Sequence, residues 1–304
     1  MILVTGGRGF LGKHVMDRLL LRGYKAAGLG SADADLRSAA HTEKIFDVYR
    51  PDTVIHLAAV VGGIGANREH PGKFWRDNTI MGVHVLDACI KFGVRKLILA
   101  STTCSYPHTP PRIPFLESDM WMGYPEPTNA PYGIAKKSLM IGANAYKQEY
   151  GLDVMTLVPT NLYGPGDNFN LDSSHVIPAM MRRLHEAKLA GTPEVVMWGT
   201  GSPTRDFLYV DDAAHAFQLA LDCEDAGPIN LGSGEEVSMF KLATKVKEVV
   251  GYIGKIKWDY SKPDGQPRRC LDSSLSFRNL GWEAVTPLDD GLKRMYKWYV
   301  EQQK

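Results

Sequence analysis

The sequence predicts an α/β protein, a doubly wound parallel sheet with a smaller C-terminal α/β domain. Three observations lead there. The apolar run Ile2-Leu3-Val4-Thr5 passes into Gly6-Gly7-Arg8-Gly9-Phe10-Leu11-Gly12 and then into helical apolar spacing through Val15, Leu19 and Leu20; this is the strand, glycine turn and helix of a nucleotide-binding βαβ unit. Apolar runs then alternate with amphipathic segments, as parallel strands joined by crossover helices require. The rhythm breaks at the polar, glycine- and proline-punctuated stretch Pro159 to Asn168, where the chain is expected to leave the first sheet.

The elements follow in order. Strands are expected at Lys25–Leu29, Thr53–Leu57, Lys96–Ala100 and Asp153–Val158, each a short apolar run bounded by turn residues. Helices are expected at about Ala39–Tyr49, Asn78–Phe92 and Tyr132–Tyr150, the last carrying Tyr132, Ala135, Lys136, Leu139, Met140 and Ala143 on one face. Beyond the break come a helix at about Ser174–Ala190, a strand Val195–Trp198, and a second strand Phe207–Val210 with Asp211-Asp212 placed to cap the next helix. A helix Met239–Val250, a loop Ser261–Arg269 and an amphipathic helix from about Leu288 complete the chain. Residues 1–165 with about 205–228 are expected to form the dinucleotide-binding domain, and about 166–204 with 229–304 the smaller substrate domain.

Bulk properties exclude several functions. At 304 residues and 44% hydrophobic the chain can bury a large core. Thirty-five basic against thirty-four acidic residues leave a net charge of +1, no footprint for nucleic acid or an anionic membrane. No run approaches a membrane span, and the four cysteines, Cys89, Cys104, Cys223 and Cys270, form no Cys-x-x-Cys pair. A reducing, cytoplasmic setting is expected.

The glycine turn lets backbone approach a pyrophosphate, with the N–H groups and positive dipole end of the following helix aimed at it. At the end of the second strand, where an NAD-binding chain places an acid for the ribose 2′-hydroxyl, stand Gly28, Leu29, Gly30 and Ser31. Arg8, inside the turn, faces either a 2′-phosphate, which favours NADP, or solvent. Asp35 and Leu36 are expected by the adenine. Tyr132 and Lys136 put a phenol and an ammonium on one helix face, where the charge of the lysine favours the phenolate and lets the tyrosine exchange a proton with a substrate oxygen.

A hydroxyl after the fourth strand (Thr102) followed by Tyr132-Gly-Ile-Ala-Lys136 resembles the active site of the extended short-chain dehydrogenase/reductase superfamily, and with it the Rossmann fold. Longer segments narrow the likeness. His56-Leu57-Ala58-Ala59 with Val61-Gly62-Gly63-Ile64, Thr103-Cys104-Ser105-Tyr106-Pro107 and Pro159-Thr160-Asn161-Leu162-Tyr163-Gly164-Pro165 resemble the GDP-L-fucose synthase family. So do Ser174-His175-Val176-Ile177-Pro178-Ala179, Trp198-Gly199-Thr200-Gly201 and Ser261-Lys262-Pro263-Asp264-Gly265, in the family's order across almost the whole chain.

That resemblance implies an NADPH-dependent 3,5-epimerase/4-reductase acting on a GDP-4-keto-6-deoxy sugar, with a homodimer formed through the helices around Asn78–Phe92 and Tyr132–Tyr150. It implies Cys104 as base and His175 as acid for inversion at C3 and C5, Tyr132 as proton donor to O4, Lys136 as its activator and holder of the nicotinamide ribose, and Thr102 as orienter of the carbonyl. Gly6, Arg8, Gly9, Phe10, Leu11, Gly12, Asp35, Leu36, Leu57, Ala58, Ala59, Asn161, Leu162 and His175, with Tyr132 and Lys136, are implied at the cofactor; Arg183, Trp198, Arg205, Asp264 and Arg269 at the sugar nucleotide. Cys104 lies two residues past Thr102, so on an extended segment both would face one pocket. Three positions depart from the family pattern: Thr102 for serine, Arg269 for lysine, and Gly30 to Ala32 for an arginine after the second strand. Two other readings stay open, a related GDP-4-keto sugar (dideoxy or heptose) processed with or without reduction, and a nucleotide-binding regulator that has lost turnover.

Overall fold

A computed structural model describes residues 1–171, 173–224, 227–262 and 264–303. Its elements run β1 (Ile2–Thr5), α1 (Phe10–Leu21), β2 (Ala26–Leu29), α2 (Ala39–Tyr49), β3 (Thr53–His56), α3 (Ile64–Glu69), α4 (Pro71–Lys91), β4 (Lys96–Ala100), α5 (Ala130–Tyr150), β5 (Asp153–Pro159) and β6 (Asn161–Tyr163). The chain continues through α6 (Val176–Leu189), β7 (Glu194–Trp198), β8 (Thr204–Tyr209), α7 (Val210–Leu219), β9 (Pro228–Leu231), β10 (Glu236–Ser238), α8 (Met239–Val250), β11 (Lys255–Asp259), β12 (Arg268–Arg269), α9 (Ser274–Leu280) and α10 (Leu288–Glu301).

Among the described residues, six strands form one sheet in the order β2-β1-β3-β4-β5-β9, every pair parallel. Its central strands are buried on both faces, which is why Leu3-Val4, Val54-Ile55, Leu97-Ile98-Leu99 and Leu157-Val158 read as unbroken apolar runs. Strand order reverses between β1 and β3, so their carboxyl ends open a crevice there, the place where such sheets take ligands. A second sheet joins β10, β8 and β12, with β6 also pairing β8, and β11 pairs β7. Its core is distinct: Met181, Leu184, Leu242, Val246, Leu292 and Met295 pack between α6, α8 and α10.

Several expectations change. Helix α4 begins at Pro71, seven residues before Asn78, because a proline at the first helical turn loses no needed N–H. The glycine-rich stretch after β3 is not all loop. The Asn67 amide donates to the carbonyls of Gly62 and Gly63 at 2.9 and 3.1 Å and closes the short helix α3. Asn161–Tyr163, expected as loop, forms β6 against Phe207–Tyr209. Asp211 and Asp212 sit inside the first turn of α7, whose N-cap is Tyr209. Asp211 instead takes His14 at 2.5 Å, and Asp212 accepts the N–H groups of Val285 and Thr286 at 3.2 and 2.9 Å. Strand β9 carries the main sheet past residue 228, and Trp282, after α9, is buried in the cluster that backs it. Leu20 faces solvent. Pro263, in the expected Ser261–Arg269 loop, lies outside the described residues. No described helix is long and apolar enough to cross a membrane.

Candidate active site

One cleft of about 1960 Å³ runs from the glycine turn across the carboxyl ends of β1, β3, β4 and β5 to the second sheet. Every residue expected at the cofactor, the chemistry or the sugar nucleotide lines it.

At one end, Gly6 has φ +72° and Gly12 has no room for a side chain: a Cβ there would stand 2.0 Å from the Gly6 carbonyl oxygen. A Cβ on Gly7 would stand 2.5 Å from the Cα of Gly28, so the turn needs a fourth glycine that the spacing 6, 9, 12 does not announce. Gly9 is the N-cap of α1 and offers no side-chain bond, leaving the first N–H groups of the helix for a ligand. This cradle fits a dinucleotide pyrophosphate. Leu57, Ala58 and Ala59 form the facing wall, and Asn78 pins the next residue, accepting from the Val60 N–H at 2.9 Å and donating to its carbonyl at 3.0 Å.

Beyond the turn, Arg8 is not free to face solvent alone. Its Nη2 lies 2.8 Å from Asp33 Oδ1, while Asp33 Oδ2 accepts the N–H of Gly30 at 2.8 Å. Asp35, expected by the adenine, is clamped by Arg37 at 2.8 and 2.9 Å. That clamp holds its carboxyl down at about 2. Arg37 reaches on to buried Asp77 at 3.3 Å. Arg37 also lines the cleft, a residue the motifs gave no reason to pick.

In the middle, Tyr132 and Lys136 share the inner face of α5. Lys136 is buried, donates to the Ala100 carbonyl at 3.0 Å, and burial lowers its pKa to about 8. Beneath it His56 bonds Thr5 Oγ1 at 2.7 Å, its pKa brought down to about 3 by burial and then by the charge of Lys136, so it is a neutral support. Tyr132 departs from expectation. Burial raises its pKa above the ordinary value, Cys104 adds to the rise, and the hydrogen bond with Thr102 lowers it; Lys136, turned to Ala100, is not among the influences.

Thr102 and Cys104 do reach the same cleft, though by a different route. Thr103–Ser105 is a 3₁₀ turn rather than an extended segment, and the Thr102 hydroxyl caps it by accepting the Cys104 N–H at 3.2 Å. The turn rests on α5, where Ser105 Oγ donates to the Gly133 carbonyl at 3.3 Å. Two donors face the Cys104 sulfur: Asn129 Nδ2 at 3.6 Å and Arg269 Nη1 at 3.9 Å. Gln266 orients that guanidinium, accepting from Nε and Nη2 at 3.1 and 2.9 Å. Both groups are hydrogen-bond donors, and one carries a positive charge. Sequence reasoning put Arg269 at the nucleotide and missed Asn129 and Gln266, because the sulfur lies 25 residues from Asn129 and 165 from Arg269, and Gln266 matters only through Arg269.

His175 stands at the N-cap of α6 and makes no capping bond. The cleft walls desolvate it and lower its pKa, although its ring opens onto the cleft. A Cβ on Gly63 would stand 3.2 Å from the Ser174 carbonyl oxygen, so the lips of the cleft meet beside it. Asn161 donates to the Asp206 carbonyl at 2.8 Å, fixing Asn161-Leu162 along the cleft. At the far end burial, then the charge of Arg269, lowers the Arg205 pKa to about 10. Trp198 is 65% exposed, with Arg183 and Lys262 at 6.0 and 5.7 Å from its ring centre. Asp264 accepts the Thr200 N–H and hydroxyl at 2.7 and 2.8 Å, so it holds the Trp198 loop as well as lining the cleft.

A profile of the NAD-dependent epimerase/dehydratase family matches residues 2–232. GDP-L-fucose synthase 1 of Arabidopsis thaliana is 44% identical over 302 residues, 99% of this chain and 93% of that one. The chain belongs to the GDP-L-fucose synthase branch of this family. Likeness in structure agrees: a GDP-L-fucose synthetase from Naegleria fowleri bound to NADP superimposes with a TM-score of 0.90 at 35% identity, covering 99% of this chain and 93% of that one. A GDP-6-OMe-4-keto-L-xylo-heptose reductase from Campylobacter jejuni also superimposes at 0.90, with 27% identity over 99% and 97% of the two chains.

Proposed function

We propose that the chain is an NADPH-dependent 3,5-epimerase/4-reductase that converts GDP-4-keto-6-deoxy-D-mannose to GDP-L-fucose. The observation that carries this is Cys104: its thiol faces Asn129 and Arg269 on a turn packed against the Tyr132 helix. A reductase alone needs the tyrosine, the lysine and a hydroxyl; a thiol paired with a guanidinium beside them supplies a carbon base.

A ketone at C4 acidifies the protons on C3 and C5. The Cys104 thiolate takes one of these protons as the enolate forms, Tyr132 gives its proton to O4, and His175 returns a proton to the opposite face of the carbon. Collapse of the enolate hands the O4 proton back to Tyr132, Cys104 releases its proton to solvent and His175 takes one up through the open cleft, and a second cycle then inverts the other carbon. When bound, NADPH supplies hydride to C4. Tyr132 then protonates O4 again, Thr102 orients the carbonyl by a hydrogen bond, and Lys136 holds the ribose and repolarises the phenol once a ligand fills the cleft. The glycine cradle holds the pyrophosphate of the cofactor; Arg183, Arg205 and Trp198 take the GDP, charge to phosphate and ring to base. In this reading the dinucleotide domain comprises residues 1–165 and about 205–228 together with β9, α9 and Trp282, and the remainder supplies the sugar-nucleotide side. A cytoplasmic homodimer goes with it, supported by four cysteines that form no disulfide and by Trp75, Val83 and Ile141 standing exposed on α4 and α5.

Purified protein given GDP-4-keto-6-deoxymannose should oxidise one NADPH per sugar and release GDP-L-fucose; no NADPH loss overturns the proposal. The likeness to a heptose reductase favours a second reading, a related GDP-4-keto sugar. A panel of GDP-4-keto sugars with NADPH separates them by which sugar drives NADPH loss, and deuterium at C3 and C5 in heavy water with the ketone surviving marks an epimerase without reduction.

A further inference from the structure

We infer that Asp33 sets the discrimination between phosphorylated and unphosphorylated nicotinamide dinucleotides, by holding the guanidinium of Arg8; the inference rests on the cofactor reading above. The sequence shows no acid at the end of β2. The fold brings one from further on. Asp33 folds back so that Oδ2 takes the N–H of Gly30, and the backbone N–H of Asp33 donates to the Gly30 carbonyl at 3.0 Å. That turn presents Oδ1 to Arg8 at 2.8 Å. Arg8 in turn lies flat over Gly30: a Cβ there would meet Cβ and Cδ of Arg8 at 3.2 and 3.4 Å. Gly30, Ser31 and Arg8 all line the cleft at the edge where a dinucleotide of this fold places its adenosine ribose.

A 2′-phosphate arriving there meets an arginine whose charge is already matched by a carboxylate. The neighbouring cation, Arg37, is engaged with Asp35 and Asp77. Asp33 itself is 23% exposed and Arg8 62%, so the effect is that of a partly screened charge rather than a buried one. The site therefore binds NADP with less than the advantage an unpaired Arg8 would give, and separates it weakly from NAD.

Isothermal titration of the full chain with NADP+ and with NAD+, without sugar nucleotide, tests this. Asp33→Asn keeps an oxygen for the Gly30 N–H and removes the charge, and Asp33→Ser is a second, smaller variant. Each should tighten NADP+ by about 3- to 10-fold, the size expected for removing one screened charge near a phosphate. NAD+ should not tighten, since its 2′-hydroxyl gains nothing from losing a carboxylate that can accept from it. The NADP+ gain should shrink at high salt and vanish in Arg8→Ala/Asp33→Asn. Weaker NADP+ binding in both variants would overturn the proposal and make Asp33 an orienter of Arg8. An equal change for both dinucleotides would overturn it too, as a structural effect. A wild type that binds neither dinucleotide would overturn the cofactor reading itself.

Discussion

Gly133 is the residue after Tyr132, and its helix backbone touches the turn that bears Cys104. A Cβ at this position would stand 2.1 Å from the Cys104 carbonyl oxygen and 2.9 Å from its carbon, against 3.4 Å or more for an ordinary contact. Both neighbours are backbone, so neither can swing aside. Gly133→Ala must part the turn and α5 by about 1 Å, the gap between that approach and normal van der Waals separation. Overpacking of this kind costs about 1–3 kcal/mol, which in a chain of 304 residues lowers the melting temperature by about 2–4 °C per kcal/mol. The catalytic loss should be larger in proportion. A 1 Å misplacement of a reacting group costs up to about 100-fold, and the displaced group is the proposed carbon base. Deuterium exchange at C3 and C5 of the keto sugar should fall by that order, while NADP+ titrates as in the wild type. Exchange at the wild-type rate with an unchanged melt would refute the argument, because the turn would then have retreated without moving its sulfur.

Cys104→Ser should abolish exchange at C3 and C5 yet leave dinucleotide binding intact; loss of both together would make the cysteine structural. Burial pushes the Asp167 carboxyl up to about 7 from 3.8, against the bond from the Asn168 N–H, and its other oxygen has no partner. A raised carboxyl favours the folded state most below 3.8 and loses that contribution as pH rises through about 7. Asp167→Asn should therefore gain melting temperature relative to the wild type as pH rises through that window, and a constant gap would contradict it. Burial opposes charge on His14, yet bonds from its two nitrogens to Asp211 and the Pro165 carbonyl, at 2.5 and 2.8 Å, outweigh it and raise its pKa. The clamp is complete below 6.5 and fails as pH rises through the raised value. His14→Gln should cost stability chiefly at the acidic end of that range, and melts across pH would reveal a uniform loss if the charge were irrelevant.

By itself the sequence determined whatever depends on neighbours in the chain. The apolar runs that became β1, β3, β4 and β5 are legible because a strand buried on both faces needs no alternation. The turn at Gly6 to Gly12 is legible because its backbone admits no Cβ, and Tyr132 with Lys136 because a helix repeats every 3.6 residues. Segment-long resemblance extended this to Cys104, His175 and the arginines. Only the tertiary structure decided what each group faces. It turned Lys136 toward Ala100, set Asn129 and Arg269 against Cys104, folded Asp33 back onto Arg8 and spent Asp211 on His14. None of these pairs leaves a periodicity to read. They are contacts between segments brought together by sheet order and helix packing, and their energies depend on burial and charge that exist only once the chain has closed around them.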